Sequence, residues 1–438
     1  MNQRKKIIIV GAGLAGLAAA EKLSKTNDVI LIEKDSTIGG LARNFRKNQR
    51  DIPYFYHHII KSNLNTRNYL KKFGNINLPK KRWTRIKVAI ALNNKVYNIN
   101  NPFKFIKFSY LNLYEKIRFG LFGIYTLFLM NPAKLHDSLD AQTWLEKTAG
   151  KDVTKKIWNH LYSRNKFNIP LNQISAKQFA YRLHEKEVYD FFTSPKKGYQ
   201  PMIDNLAKVI KQNKGMIKTN SEITHIDVKK KIIRIKNKEI AYDMLINTSP
   251  FQDFTKITKN LPLDLKQKLN KIKYCPAVSI CFATENFLDK DHYWINFFNE
   301  RIHMLMQHSV LNDSYGEKIS WCLRYGGSEE DLYLSDEKIK KEYLGVIKKY
   351  FPHAKIKWAK VIRTKYGEPI YDIHYQKYMP KYKTEVEGLY FAGIQLTYPK
   401  IRNMNVALGS GIKVADMILK KLETEPFKTR NSVNTQKN

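Results

Sequence analysis

The sequence predicts an α/β fold in which a discontinuous parallel-sheet domain is interrupted by a second, α+β domain. Three observations predict it. A short β-branched run at 6–10 leads directly into glycines at positions 11, 13 and 16. After one helix-length of alanine- and leucine-rich chain, a second apolar run at 28–33 ends on Glu33. Two further short apolar runs, at 242–247 and 388–392, read as later strands separated by a long excursion of mixed elements.

Residues 6–10 lack apolar–polar alternation and suit a strand covered on both faces of a parallel sheet. Residues 15–25 place Leu17, Ala20 and Leu23 on one side of a helix, and 28–33 completes a βαβ unit. From about 54 to 197 the chain turns aromatic, basic and helical, with few glycines. Gly198 then opens a helix running to 210. Short strands follow near 216–219 and, as an alternating hairpin, over 222–236. The apolar strand at 242–247 ends at Thr248, Ser249 and Pro250. A second excursion of mixed strands and helices runs from 251 to about 385, and a strand at 388–392 and a helix at 404–422 close the fold. The expected sheet domain therefore spans 1–75, 198–260 and 386–425. The second domain spans 76–197 and 261–385, and a polar tail occupies 426–438.

Gly11, Gly13, Ala15 and Gly16 sit where a first strand passes into a first helix, the context that gives glycines at this spacing their meaning. Gly11 allows the tight turn, Gly13 lets backbone approach a pyrophosphate, and Gly16 permits close helix–strand packing. The helix N-terminus offers unpaired N–H groups and the positive end of its dipole. Glu33, followed by Lys34, stands where a carboxylate accepts hydrogen bonds from ribose hydroxyls. An acid there disfavours a 2′-phosphate. This is a Rossmann-type dinucleotide site.

Six residues after Glu33 come Gly39, Gly40, Leu41, Ala42 and Arg43. A second glycine pair lets the chain pass close to the ribityl of a longer cofactor, and Arg43 offsets phosphate charge. The arrangement resembles the FAD proteins of the monoamine oxidase and protoporphyrinogen oxidase superfamily. That resemblance implies a discontinuous Rossmann-type FAD-binding domain with an interleaved α+β substrate domain, and an FAD-dependent oxidoreductase. It also implies that Ile223 packs on adenine, and that Gly393, Met404, Asn405 and Val406 contact the flavin, mostly through backbone. The family often has an acid after the last glycine, where this chain has Ile394. Family members that bind flavin covalently use a cysteine near the closing unit. The last cysteine here is Cys322, so FAD is expected to be held non-covalently.

The stretch from Tyr54 to Asn63, with Lys95 to Pro102, resembles UDP-galactopyranose mutase. There a histidine of this stretch lies against the flavin, which implies a role for His58. Thr397 with Tyr398, then Asn403 to Val406, resembles the closing loop of the mutase and implies that Tyr398 touches a substrate phosphate. The mutase has an arginine where Ile394 stands, and its diphosphate-binding arginines find no match between 280 and 330. Tyr293 to Asn296, with Gln307 and His308, resembles a broad group of flavin oxidoreductases often encoded beside polysaccharide or glycolipid assembly genes. Two function classes follow. One is hydride transfer on a lipid or glycan-assembly intermediate; the other is a mutase-like isomerisation of a sugar nucleotide without net redox change. No catalytic acid or base and no metal-ligand set is assigned.

Lys+Arg of 77 against Asp+Glu of 39 gives a net charge of +38. Such a field attracts anions and anionic lipid surfaces. The basic residues are scattered and no zinc-finger or RNP signature occurs, so no nucleic-acid partner is expected. Residues 103–130 interleave Phe, Tyr and Leu with Lys104, Lys107, Lys116 and Arg118. Their longest uncharged run, 119–130, is too short to span a bilayer. A helical lid of the substrate domain and an interfacial helix drawn to anionic lipid are both compatible with it. Cys275, Cys281 and Cys322 form no paired framework. Although Lys5, Lys6 and the apolar run behind them resemble a secretory signal, the glycine motif explains that run better. A cytoplasmic protein is expected, with peripheral membrane contact left open and a small-molecule or lipid-linked substrate.

Overall fold

The computed structural model describes residues 4–78, 83–185, 189–326 and 329–424. The expected tail 426–438 lies outside them. Five strands form a fully parallel sheet in the order Met216–Lys218, Asp28–Ile32, Lys6–Val10, Met244–Asn247, Leu389–Phe391. Ile7, Ile8 and Ile9 have no exposed surface, so the uninterrupted apolar run reflects cover on both faces. The chain leaves Lys6–Val10 for Asp28–Ile32 on one side, while Met244–Asn247 lies on the other. The order reverses at the first strand, so a crevice opens at its carboxyl end.

Helices Leu14–Leu23 and Met404–Thr424 pack on this sheet and on each other at very short range. A Cβ on Gly16 would lie 2.0 Å from Gly11 O, and one on Gly411 would lie 2.1 Å from Ala15 O. Only glycine fits at either place.

The second large sheet has seven strands, in the order Ile356–Pro369, Tyr274–Thr284, Lys318–Tyr325, Met304–Met306, Trp294–Phe297, Val88–Leu92, Lys95–Asn98. It joins strands from both excursions, and Trp294–Phe297 runs parallel to Val88–Leu92. Here the sequence expectation of a helical middle region is corrected. Val88–Leu92 and Lys95–Asn98 form a hairpin turned by Asn93 and Asn94, both at positive φ (51° and 61°). Asparagine tolerates that region, and two such residues between apolar runs are a hairpin signal. The rest of the middle region is mainly helical: Leu113–Ile124, Ala141–Thr148, the wide-turned Thr154–Phe167 and Ala176–His184.

Candidate functional site

The crevice at the end of Lys6–Val10 is lined by backbone. Gly11 sits at φ 94° and its N–H donates to Ile32 O (2.8 Å). Glu33 is fixed from two sides: Ala12 N–H donates to Oε2 (2.9 Å) and Asp35 N–H to Oε1 (3.0 Å). Each oxygen keeps lone-pair capacity for a hydroxyl donor. Leu14–Leu23 has neither a side-chain cap nor an acid in its first turn, so its N–H groups, Ala15 and Gly16 among them, and its positive dipole end are free to meet an anion. A Cβ built on Gly13 would meet nothing within 4 Å. That space is the opening a pyrophosphate needs.

The second glycine pair folds back over the first. Gly39 N–H donates to Ala12 O (2.8 Å), and both Gly39 and Gly40 have positive φ. A Cβ on Gly40 would stand 3.2 Å from Gly13 Cα. Leu41 and Ala42 follow in a single turn, and Arg43 pairs with Asp35 (3.0 Å) while its guanidinium covers Tyr54 (4.4 Å). Lys34 is exposed, 3.9 Å from Asp253. Ile223 is buried just after Ser221, whose N–H donates to Glu33 O (2.9 Å).

The closing unit approaches from the other side. Gly393, at φ 125°, donates its N–H to Ser410 Oγ (2.8 Å), and Ile394 begins a short turn. Asn403 Oδ1 accepts from Val406 N (3.0 Å), capping the closing helix. Met404 is buried, and Asn405 accepts through Oδ1 from Thr66 N (3.2 Å). The clearance around Gly13, the uncapped helix end and the half-satisfied Glu33 together fit a dinucleotide.

Where the second glycine loop meets the seven-stranded sheet, a cavity opens between Leu41, Phe55, Tyr56, His57, Tyr325 and Arg402. One wall carries a buried charged network. Glu368 accepts from Lys166 and from Arg402, and Arg402 also donates to Tyr325. Tyr56 OH donates to Tyr325 OH (3.1 Å). Burial raises the Glu368 carboxyl, but Arg402 and Lys166 outweigh that and hold it below the usual carboxylate range. Burial lowers the Lys166 ammonium to about 7 despite Glu368 beside it. Arg402 is buried yet stays charged, because Glu368 more than offsets the loss of water. With Arg182 near enough to act on both Glu368 and Lys166, the network carries more positive than negative charge.

One neutral histidine, His57, lines this cavity, and a second, His308, stands behind it. Burial drives His57 down to about 3, and its Nδ1 has no hydrogen-bond partner among the described residues. His308, lowered by burial to about 4, lies 3.2 Å through Nε2 from His57 O, and Nδ1 is 3.2 Å from Tyr315 OH. Those partners define its neutral tautomer: Nε2–H donates and Nδ1 accepts.

The structure brings the expected cofactor residues together from three stretches of chain. His58 lies one residue beyond the cavity wall: its Nδ1 is 2.9 Å from Tyr293 OH and its ring lies 4.8 Å from Phe192. Tyr398 is buried elsewhere. Its hydroxyl shares a hydrogen bond with Ser175 Oγ (2.8 Å) and donates to Asp137 Oδ1 (3.1 Å). A phosphate placed there would meet the Asp137 carboxylate. Sequence reasoning missed Lys166, Tyr325, Glu368 and Arg402. Arg402 was within reach, as a basic residue directly before the helix cap. Nothing local marks Lys166.

The comparisons with known proteins agree with this geometry. The family model described as flavin containing amine oxidoreductase matches residues 14–419. A curated relative, the L-amino acid oxidase of Cerastes cerastes, is 37% identical over 76 residues. That match spans 16% of this chain and only 14% of the relative. Among solved structures, a candidate protoporphyrinogen oxidase from Exiguobacterium sp. 255-15 aligns at a TM-score of 0.75 and 14% identity, covering 96% of this chain and 100% of its own. Reduced UDP-galactopyranose mutase aligns at 0.76 and 15% identity, with 96% of each chain covered. Putrescine oxidase bound to putrescine aligns at 0.74 and 14%, covering 95% and 99%. Oxidases and a mutase score alike, so these likenesses speak for the fold alone. The family match covers most of the chain and carries the cofactor with it: this protein belongs to the flavin-containing amine oxidoreductases, a family of FAD-dependent enzymes.

Proposed function

We propose that the protein is an FAD-dependent oxidoreductase that transfers hydride to or from a lipid-linked or glycan-assembly intermediate in the cavity beside Leu41 and Arg402. FAD, when bound, supplies the hydride chemistry. The chain's own residues supply the surroundings. Phe55, Tyr56 and Leu41 keep water from the reacting face, and the Tyr56–Tyr325–Arg402 chain holds a fixed hydroxyl donor at the wall. The Tyr56 proton is committed to Tyr325, whose oxygen also accepts from Arg402, so the Tyr325 hydroxyl, kept protonated by burial above the ordinary phenol range, has its own proton to donate. The observation that carries the reading is that Arg402 and Arg182, with Lys166 part-protonated near neutral pH, outweigh the single carboxylate of Glu368. A positive wall favours the gain of negative charge on a neighbouring group, which is what a two-electron reduction requires.

The mutase-like alternative has less support. A sugar-nucleotide diphosphate needs free cations, and the two arginines of the strand region already have partners. Arg301 pairs with Asp331 and Glu342, and Arg324 pairs with the same Asp331 (2.8 Å). Arg324 also neighbours Tyr325 on one strand, so their side chains leave opposite faces of the sheet. The test is anaerobic. FAD in the holoprotein is reduced with dithionite, lipid-linked sugars and UDP-galactopyranose are added in turn, and flavin absorbance and product are followed together. Product formed in step with flavin reoxidation supports the oxidoreductase. Product without any change in flavin redox state overturns it in favour of the isomerase.

A further inference from the structure

The segment from 103 to 134 leaves an apolar stripe largely exposed among the described residues. Helix Leu113–Ile124 starts at a capping box, in which Asn112 accepts from Glu115 N and Glu115 accepts from Asn112 N, and it continues as a wider turn through Tyr125–Leu129. Its inner side is anchored on aromatics: Phe119 stacks on Trp158 (5.8 Å), and Phe122 meets Trp144 (5.6 Å) and Trp158 (5.3 Å) edge-on. The outer side should then be polar. Instead Leu113 (71% exposed), Ile117 (53%), Leu121 (58%), Ile124 (54%) and Phe128 (71%) recur at steps of three and four residues. That spacing places them on one face. Phe103, Ile106, Tyr114 and Leu129 widen the stripe and are more than half exposed. A soluble monomer rarely leaves so large a contiguous apolar face to water.

The charges around the stripe decide what covers it. Residues 103–134 contain Lys104, Lys107, Lys116, Arg118 and Lys134 against one acid, Glu115. That acid is buried and bonded to Lys156 (2.7 Å), so the segment offers solvent only cations. A second copy docking through this face would bring its lysines against these, in a chain of net charge +38. No helix among the described residues is long and apolar enough to cross a membrane. We propose that this stripe lies in the surface of an anionic phospholipid bilayer, with the apolar residues among the acyl chains and the lysines at the headgroups. The proposal goes beyond the flavin chemistry and holds whichever substrate the cavity takes.

The test uses the FAD-loaded full chain and vesicles of phosphatidylcholine containing about one third phosphatidylglycerol. Sedimentation is compared at low salt and at about 1 M salt, where the Debye length is only about 3 Å. Insertion predicts that much of the wild type still pellets at high salt. The Leu113→Glu, Leu121→Glu, Phe128→Glu triple variant should partition more than about tenfold less while keeping its flavin absorbance, because all three side chains are exposed. Lys104→Glu with Lys107→Glu should weaken binding at low salt and change little at high salt. The proposal is overturned if the wild type leaves the vesicles completely at high salt, or if the triple variant pellets as the wild type does. It is also overturned if light scattering finds a dimer that the triple variant splits, since a second copy would then cover the stripe. Vesicle binding is read without turnover, so its failure is distinct from failure of the oxidoreductase reading.

Discussion

On the side of the parallel sheet, the groups poised to meet a ligand are, Glu33 apart, backbone: the N–H groups around Gly11 to Gly16, the Gly39–Gly40 turn and the start of the closing helix. On the side of the seven-stranded sheet they are ionised or hydroxylated side chains drawn from four distant stretches, Lys166, Tyr325, Glu368 and Arg402. A backbone site takes its specificity from space, so an added methyl group can ruin it without touching the fold. The charged wall takes its specificity from burial, and each of its members is also part of what holds the protein together. The two sides should therefore separate binding from stability in opposite ways.

The largest effect belongs to the charged wall. Glu368→Gln leaves Lys166 and Arg402 buried without their counter-ion and should cost about 3–5 kcal/mol in urea unfolding. Adding Lys166→Met should recover part of that loss. If Glu368→Gln stays within about 1 kcal/mol of wild type, the network is better solvated than its burial indicates. Next come the glycines. Gly16→Ala forces a methyl against Gly11 O and should destabilise by about 1–3 kcal/mol even without FAD. Gly13→Ala meets open space at φ −72°, which alanine adopts freely, and should leave apoprotein stability unchanged. It should still weaken FAD binding about tenfold, or about 1.4 kcal/mol. Equal melting losses for these two variants would erase the distinction between packing glycine and ligand glycine.

The pH dependence follows from the buried histidines. His57 and His308 titrate near 6.5 when unfolded but at about 3 and about 4 when folded. Their folded values are depressed, so the stability they contribute is complete above about 6.5 and is lost as pH falls toward the folded values. By one unit below 6.5 each should have cost about 1.4 kcal/mol. Melting temperatures across that range check it, and His308→Asn should flatten the slope. The smallest effect is at the cap of the closing helix. Asn403→Ala removes the bond to Val406 N and should cost about 1 kcal/mol, read by thermal melting.

The same contrast explains what was legible in the sequence. Backbone sites must be written in glycine, and glycine at a fixed spacing after a strand is conspicuous. Gly11, Gly13, Gly16, Glu33, Gly39 and Gly40 could all be placed from the sequence, as could the strand run at 6–10 and the returning strands at 242–247 and 388–392. The charged wall carries no local signature. Lys166 lies on a lysine-rich helical segment, and only the tertiary fold sets it against Glu368, two hundred residues away. The hairpin at Val88–Leu92 was hidden differently: its Asn93–Asn94 turn was readable, but the aromatic, basic grain around it suggested helix throughout. For the stripe on Leu113–Ile124, composition showed the mixture of apolar and basic residues. The direction each side chain faces emerged only from its packing on Trp144 and Trp158.

Reconstitution decides whether FAD lies over Gly13. Wild-type protein and Gly13→Glu are stripped, incubated with FAD and desalted, and the flavin absorbance retained per mole of protein is measured beside a melting curve of each apoprotein. The wild type should retain one tightly held flavin and the variant none, with both apoproteins melting alike. Equal flavin retention by the two proteins would contradict that placement.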